Sequence, residues 1–185
     1  MGILEDIFTA AFWETEPPVV PEWVEWVHIS EGLTHCEVCL SLDKRWFLNE
    51  IAPELPQHSH CHCTVKPIPL SRVLNEATAR CEFSKFDPYL FDPDNYYKHK
   101  KGAMFESRGY GIEDFEWLRQ EFERQGLEKY VAGEYTLGLL NERGQRISIR
   151  IELPRRDKEG TVSFITGWMV YPNGQIQLTT PYGGK

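Results

Sequence analysis

The cleanest alternation in the chain is QRISIRIELP. Ile147, Ile149, Ile151 and Leu153 fall on one side, and Arg146, Ser148, Arg150 and Glu152 on the other. A period of two marks a half-buried strand. Before it, EYTLGLLNERG alternates with Tyr135, Leu137 and Leu139 on one face. After it, TVSFITGWMVYPNGQIQLTTPY predicts a hairpin turning through Pro172-Asn173-Gly174. A helical period replaces the strand period in GIEDFEWLRQEFERQG. There Phe115, Leu118 and Phe122 share a face, acids crowd the first turn, and Gly126 predicts the stop. Lys100 to Ser107 predicts a short helix with Gly109 after it. Helices followed by an antiparallel meander of about four strands predict an α+β domain over 85–182.

Upstream the pattern is less regular. LSRVLNEATARCEF predicts a linker helix over 71–84 with Ser71 as its cap, and Asp87-Pro88 and Asp92-Pro93 are turn signals. Residues 23–70 read as a small irregular/β module. In it, WVEWVHIS is either a strand from Val27 to Ser30 or a helical turn carrying Trp23, Trp26 and Val27. CEVCLSLDKRWF reads as a knuckle, a turn and a strand, and APELPQHSHCHCTVKPIP as an irregular loop with an extended exit. Residues 1–22 start amphipathic and reach the Pro-rich PPVVPEW, which predicts an extended arm.

Composition adds limits. With 41% hydrophobic and 26% charged residues, the chain belongs with folded proteins. It has no run near ~18 apolar residues, so no membrane span is expected. The acidic N-terminus does not read as a secretory signal. The expected location is the cytoplasm of a bacterial host or a virion. The net charge of −8 is uneven: residues 1–70 hold 11 acids and 3 bases, and residues 71–185 hold 17 of each. The first part is therefore a poor phosphate-backbone binder, while the second can carry a local basic face.

Five cysteines without an export signal argue against a disulfide framework. Cys81 stands alone and reads as a small buried residue. The other four form two tight pairs, Cys36/Cys39 in CEVC and Cys61/Cys63 in HSHCHC. Zinc takes four nitrogen or sulfur ligands in a tetrahedron, and a CxxC turn presents two thiolates. The second half offers His58, His60, Cys61, His62 and Cys63, of which only two are needed: the CxC pair, or His58 with Cys61. The candidate ligands are Cys36, Cys39, His58, Cys61 and Cys63. A structural zinc fits better than a catalytic one, because this many ligands need leave no position open to water. A unit of about fifty residues also has too little core to stand without a staple.

These residues resemble the ending of phage minor head proteins of the Mu F-like head-morphogenesis family. The counterparts are CEVC at 36–39, Ser41-Leu42-Asp43 with Trp46-Phe47, and LPQHSHCHCTV at 55–65. Ser59, His60 and His62 stand where that family usually carries Pro, Asn and Arg. The resemblance covers about residues 23–69. It implies a phage or prophage origin, a role attached to the capsid, and docking on phage structural proteins through the zinc module.

Residues 85–182 are similar to a toxin-associated domain, with the opening PYLFDPDNYYKHKK, a helix, and a close in GWMVYPNGQIQLTTPY. The layout also resembles ribonuclease toxins of the barnase, EndoU, colicin and RelE-like group. That implies action on RNA or another intracellular target, with a cognate immunity protein as partner. Metal-independent RNA cleavage needs a base, an acid and cations for the phosphorane. His99 sits among lysines, Arg146 and Arg150 share a strand face with Ser148, and Thr166, Thr179 and Thr180 supply hydroxyls. The candidate catalytic set is His99, Lys101, Arg150 and Thr180. The competing expectation is a non-enzymatic phage accessory or head-morphogenesis protein acting through protein contacts, which the neutral charge of the second unit favours.

Overall fold

The computed structural model describes residues 22–29, 36–87, 89–92 and 101–181. All of the expected arm except Glu22 lies outside them, as do Pro88 and Pro93 of the two expected turns. The fold is α+β, built on two sheets. In the smaller sheet, β1 (Trp23–Val27) is central. It pairs antiparallel with β2 (Trp46–Leu48) on one side and β3 (Thr64–Ile68) on the other. Neither expectation for WVEWVHIS holds: the strand begins at Trp23. Trp23, Val24 and Trp26 are all buried, so both faces of β1 are covered and the period of two is lost. A short helix, α1 (Glu37–Leu42), precedes β2.

The larger sheet has five strands rather than about four. Four of them follow expectation: β5 (Thr136–Asn141), β6 (Gly144–Pro154), β7 (Thr161–Val170) and β8 (Gln175–Thr180) form an antiparallel meander. The fifth strand, β4 (Thr78–Arg80), lies parallel to β8 at the sheet edge. It comes from the segment expected to be a linker helix. That helix, α2 (Leu70–Glu76), stops early because Ala77 turns extended, and the next residues pair with Gln175–Gln177. Between β4 and β5 come α3 (Lys101–Glu106) and α4 (Phe115–Val131). Gly109, with φ +82, ends the α3 region as expected.

The α4 helix does not stop at Gly126. It runs on to Val131, with Leu118, Phe122, Gly126 and Tyr130 buried. A Cβ at Gly126 would lie 2.7 Å from the Trp168 ring, so this glycine permits a close helix–sheet approach rather than a cap. Inside, β6 behaves as its alternation predicts: Ile147, Ile149, Ile151 and Leu153 are buried. The expected shared face of β5 does not form. Tyr135 is buried; Leu137 lies opposite the buried Ile147 but is exposed at the sheet edge, and a bulge between Leu137 and Leu140 breaks the alternation at Leu139, which is exposed too.

One continuous cluster of buried side chains runs from Trp23, Trp26, Trp46 and Phe47 of the small sheet to Tyr130, Tyr135, Trp168 and Val170 of the large one. The Trp23 and Tyr130 rings meet edge-on at 5.1 Å. The Tyr130 hydroxyl donates to the Trp46 carbonyl at 2.6 Å, and the Leu48 N–H donates to the Tyr135 hydroxyl at 2.9 Å. Arg45 is buried and donates to the carbonyls of Val170 and Arg143. Burial lowers its pKa from the ordinary guanidinium value. Gly144, at φ +120, leaves the space its guanidinium fills.

In an open helix, Gly126→Ala would stabilise by about 1 kcal/mol. Against Trp168 it is expected to destabilise by about 1–3 kcal/mol through overpacking. The urea midpoint of the variant measures this, and a stabilised variant would refute the close approach.

Candidate metal centre and outer sheet face

The metal candidates come together from three places. Cys36 caps α1 and Cys39 sits one turn in, where the Leu40 N–H bonds back to the Cys36 carbonyl at 2.9 Å. The loop after Ile51 carries His58 and Cys61 in one turn, closed by the Cys61 N–H on the His58 carbonyl at 3.0 Å. Cys63 immediately precedes β3. Two groups of ligand atoms lie close enough to share an ion: Cys36, Cys39 and His58, and Cys39, Cys61 and Cys63. Cys39 belongs to both.

These spacings can be tested against a tetrahedral zinc. Two Zn–S bonds of ~2.3 Å place their sulfurs about 3.8 Å apart, and a Zn–S with a Zn–N of ~2.0–2.1 Å gives about 3.6 Å. Cys39 Sγ lies 3.7 Å from Cys61 Sγ and 3.4 Å from His58 Nε2. The donor set therefore fits a metal ion. Without an ion's charge, burial pushes the Cys39 thiol far up, with Cys63, Cys61 and Cys36 adding to the effect. Burial also opposes the Cys61 thiolate, but backbone hydrogen bonds at Gln57 and Cys63 outweigh it and hold that thiol below its ordinary value. A buried thiol such as Cys39, which resists ionisation, is what a bound dication relieves.

His60 and His62 are exposed, and His60 Nδ1 lies 3.1 Å from the Ser59 hydroxyl, so neither belongs to the two groups. His28 is the residue that sequence reasoning missed. Its Nδ1 lies 3.4 Å from Cys63 Sγ. Only strand pairing reveals it: β1 and β3 pair Val27 with Thr64, and the next step of that register sets His28 beside Cys63. Cys81 is buried as expected, and burial raises its thiol well above the ordinary value.

The catalytic candidates divide. His99 lies outside the described residues. Lys101 and Thr180 come together: Lys101 Nζ donates to the Thr180 hydroxyl at 3.0 Å and to the Tyr89 hydroxyl at 2.7 Å. Tyr89 was not among the candidates, since a tyrosine after Asp-Pro carries no spacing signal. Burial opposes ionisation of its phenol, but hydrogen bonds with Lys101 and Thr180 and the ammonium charge hold it below the ordinary tyrosine value. Thr180 pairs with Gly167, and Gly167 with Ser148, in one row across the sheet. That row floors an open groove of about 340 Å³ whose rim includes Arg146 and Leu139. Arg150 stands apart from Lys101. It pairs with Ile165 and lines an adjoining groove of about 290 Å³ with Glu134 and Thr136. The two grooves meet at Ser148 and Ile165.

Residues 72–185 match the model of a family described as a domain of unknown function, DUF6883. No curated protein and no solved structure matches the chain.

The purified chain is expected to hold about one transition-metal ion, as a four-ligand site implies. Cys39→Ser, which removes the ligand common to both groups, is expected to lose it, whereas His62→Ala keeps it. Elemental analysis of the dialysed proteins checks both, and retention by Cys39→Ser would contradict the assignment.

Proposed function

The chain belongs to the DUF6883 family, and from that premise we propose a phage- or prophage-encoded, head-associated protein that joins a structural zinc module to a ribonuclease-type domain. The zinc module resembles the ending of Mu F-like head proteins, and it would dock the chain on phage structural proteins. Zinc, held by four of Cys36, Cys39, His58, Cys61 and Cys63, would fix the fold and take no part in the reaction. Its preference for thiolate and imidazole donors matches the cluster.

One observation carries the ribonuclease reading. Lys101, Tyr89 and Thr180 form a hydrogen-bonded trio beside an open groove on the outer sheet face. In the proposed reaction the ribose 2′-oxygen attacks phosphorus and the bond to the 5′-oxygen breaks. The Tyr89 phenolate, favoured by the ammonium beside it, accepts the 2′-hydroxyl proton. Lys101 faces the charge that builds on the phosphorane oxygens, with Thr180 holding its ammonium in place. His99, two residues before Lys101 in the sequence, supplies the proton to the departing 5′-oxygen. Arg146 and Arg150 bind flanking phosphates along the two grooves. A cognate immunity protein would cover this face.

A second reading has its own support. Leu137 and Leu139 are exposed on β5, the edge strand of the large sheet. A non-enzymatic accessory protein acting through that edge would account for them.

The purified chain is expected to cleave total RNA without added divalent ions. Lys101→Ala, Tyr89→Phe and His99→Ala are each expected to slow cleavage by about 10²-fold or more. Gel analysis of a time course reads this. Intact RNA with wild-type protein, or undiminished cleavage by Lys101→Ala, would sink the ribonuclease reading in favour of the accessory one.

A further inference from the structure

We propose that His28 is a positioning residue of the metal centre, donating its Nδ1–H to the Cys63 thiolate and so fixing and tempering that ligand. The inference rests on the metal reading of the cluster and adds a residue outside both ligand groups.

Three observations carry it. The separation of His28 Nδ1 and Cys63 Sγ is 3.4 Å, a hydrogen-bond distance for nitrogen to sulfur. A metal-bound thiolate has no proton to give, so in the loaded site Nδ1 must be the donor. The backbone on the other side of His28 is also held: its N–H donates to Asp43 Oδ1 at 3.0 Å, at the C-terminal cap of α1. His28, just after β1, thus ties Cys63, just before β3, to the end of the helix that carries Cys39. Finally, His28 approaches Cys63 but belongs to neither group of ligand atoms close enough to share an ion, which sets it outside the coordination shell.

The chemistry gives it work to do. Up to four thiolates around one dication leave a net charge of about −2. They sit in the part of the chain that already carries 11 acids against 3 bases. An N–H aimed at one sulfur spreads that charge and lowers the sulfur's nucleophilicity. Partners of this kind orient their ligand, and losing one typically weakens metal binding about 10–100-fold.

The test uses the full chain with His28→Phe, His28→Asn and His28→Gln. The asparagine amide nitrogen sits where Nδ1 does, and the glutamine nitrogen reaches to where Nε2 does. His28→Phe is expected to bind zinc about 10–100-fold more weakly in chelator competition. Its cobalt-loaded form should show a shifted sulfur-to-cobalt charge-transfer band of unchanged intensity, since the thiolate count is the same. Cys63 should also react faster with iodoacetamide. His28→Asn is expected to restore all three properties and His28→Gln to fail, a contrast that stands even if the phenylalanine variant does not fold. Wild-type protein that holds no metal would overturn the metal reading and this inference together. Metal-loaded variants that match wild type in affinity, band and labelling would overturn the inference alone. So would a loss of ligand-field pattern in the asparagine and glutamine variants alike, which would make the imidazole a ligand.

Discussion

Tyr130 is wholly buried between the two sheets, and the small module depends on it. Its hydroxyl donates to the Trp46 carbonyl at 2.6 Å, and its ring takes the edge of Trp23 at 5.1 Å. Burial of the phenol keeps it protonated, so it remains a donor at any ordinary pH. Trp23, Trp26 and Trp46 are buried in the same cluster as Tyr130. Each aromatic ring of that size removes about 150–250 Å² from water, an upper estimate of about 4–6 kcal/mol per residue. Together these are comparable with the ~10–16 kcal/mol that a structural zinc supplies to a small module. The module therefore has two supports, a borrowed core on one side and its ligand cluster on the other.

Arg45 shows how closely the two sheets are joined. Among the described residues no carboxylate pairs with it, and its guanidinium is spent on the carbonyls of Val170 and Arg143. Backbone oxygens at the β5–β6 and β7–β8 turns thus receive a charged donor from the loop before β2. The Asn173 N–H returns the connection by donating to the Lys44 carbonyl at 2.8 Å. At the same β5–β6 turn, the Ser41 hydroxyl of α1 donates to the Asn141 carbonyl at the end of β5 at 3.0 Å. The helix that carries Cys39 is therefore fastened to the strand whose Gly138 and Leu139 line the outer groove. Ligand cluster and groove rest on a common support, although their chemistries differ.

Much of the larger sheet was legible because its inner row is written at a period of two and its turn at Asn173-Gly174 is unambiguous. The metal candidates were legible for a different reason: thiols and imidazoles at short spacing have few other uses. The misses share a cause, a residue whose partner is distant in the chain. Gly126 reads as a stop until Trp168 is seen against it. Thr78–Arg80 reads as the end of a helix until Gln175–Gln177 offers it an edge. Tyr135, Leu137 and Leu139 read as one face until the bulge breaks their alternation before Leu140.

By itself, the sequence determined the α+β class, the meander and the two cysteine pairs, because each is set by local period or local spacing. Only the tertiary structure decided that both sheets share one core, that Tyr89 meets Lys101 and Thr180, and that His28 stands beside Cys63. Those contacts join residues 12 to 100 or more positions apart. Strand register and helix packing set them, and neither leaves a periodic mark in the sequence.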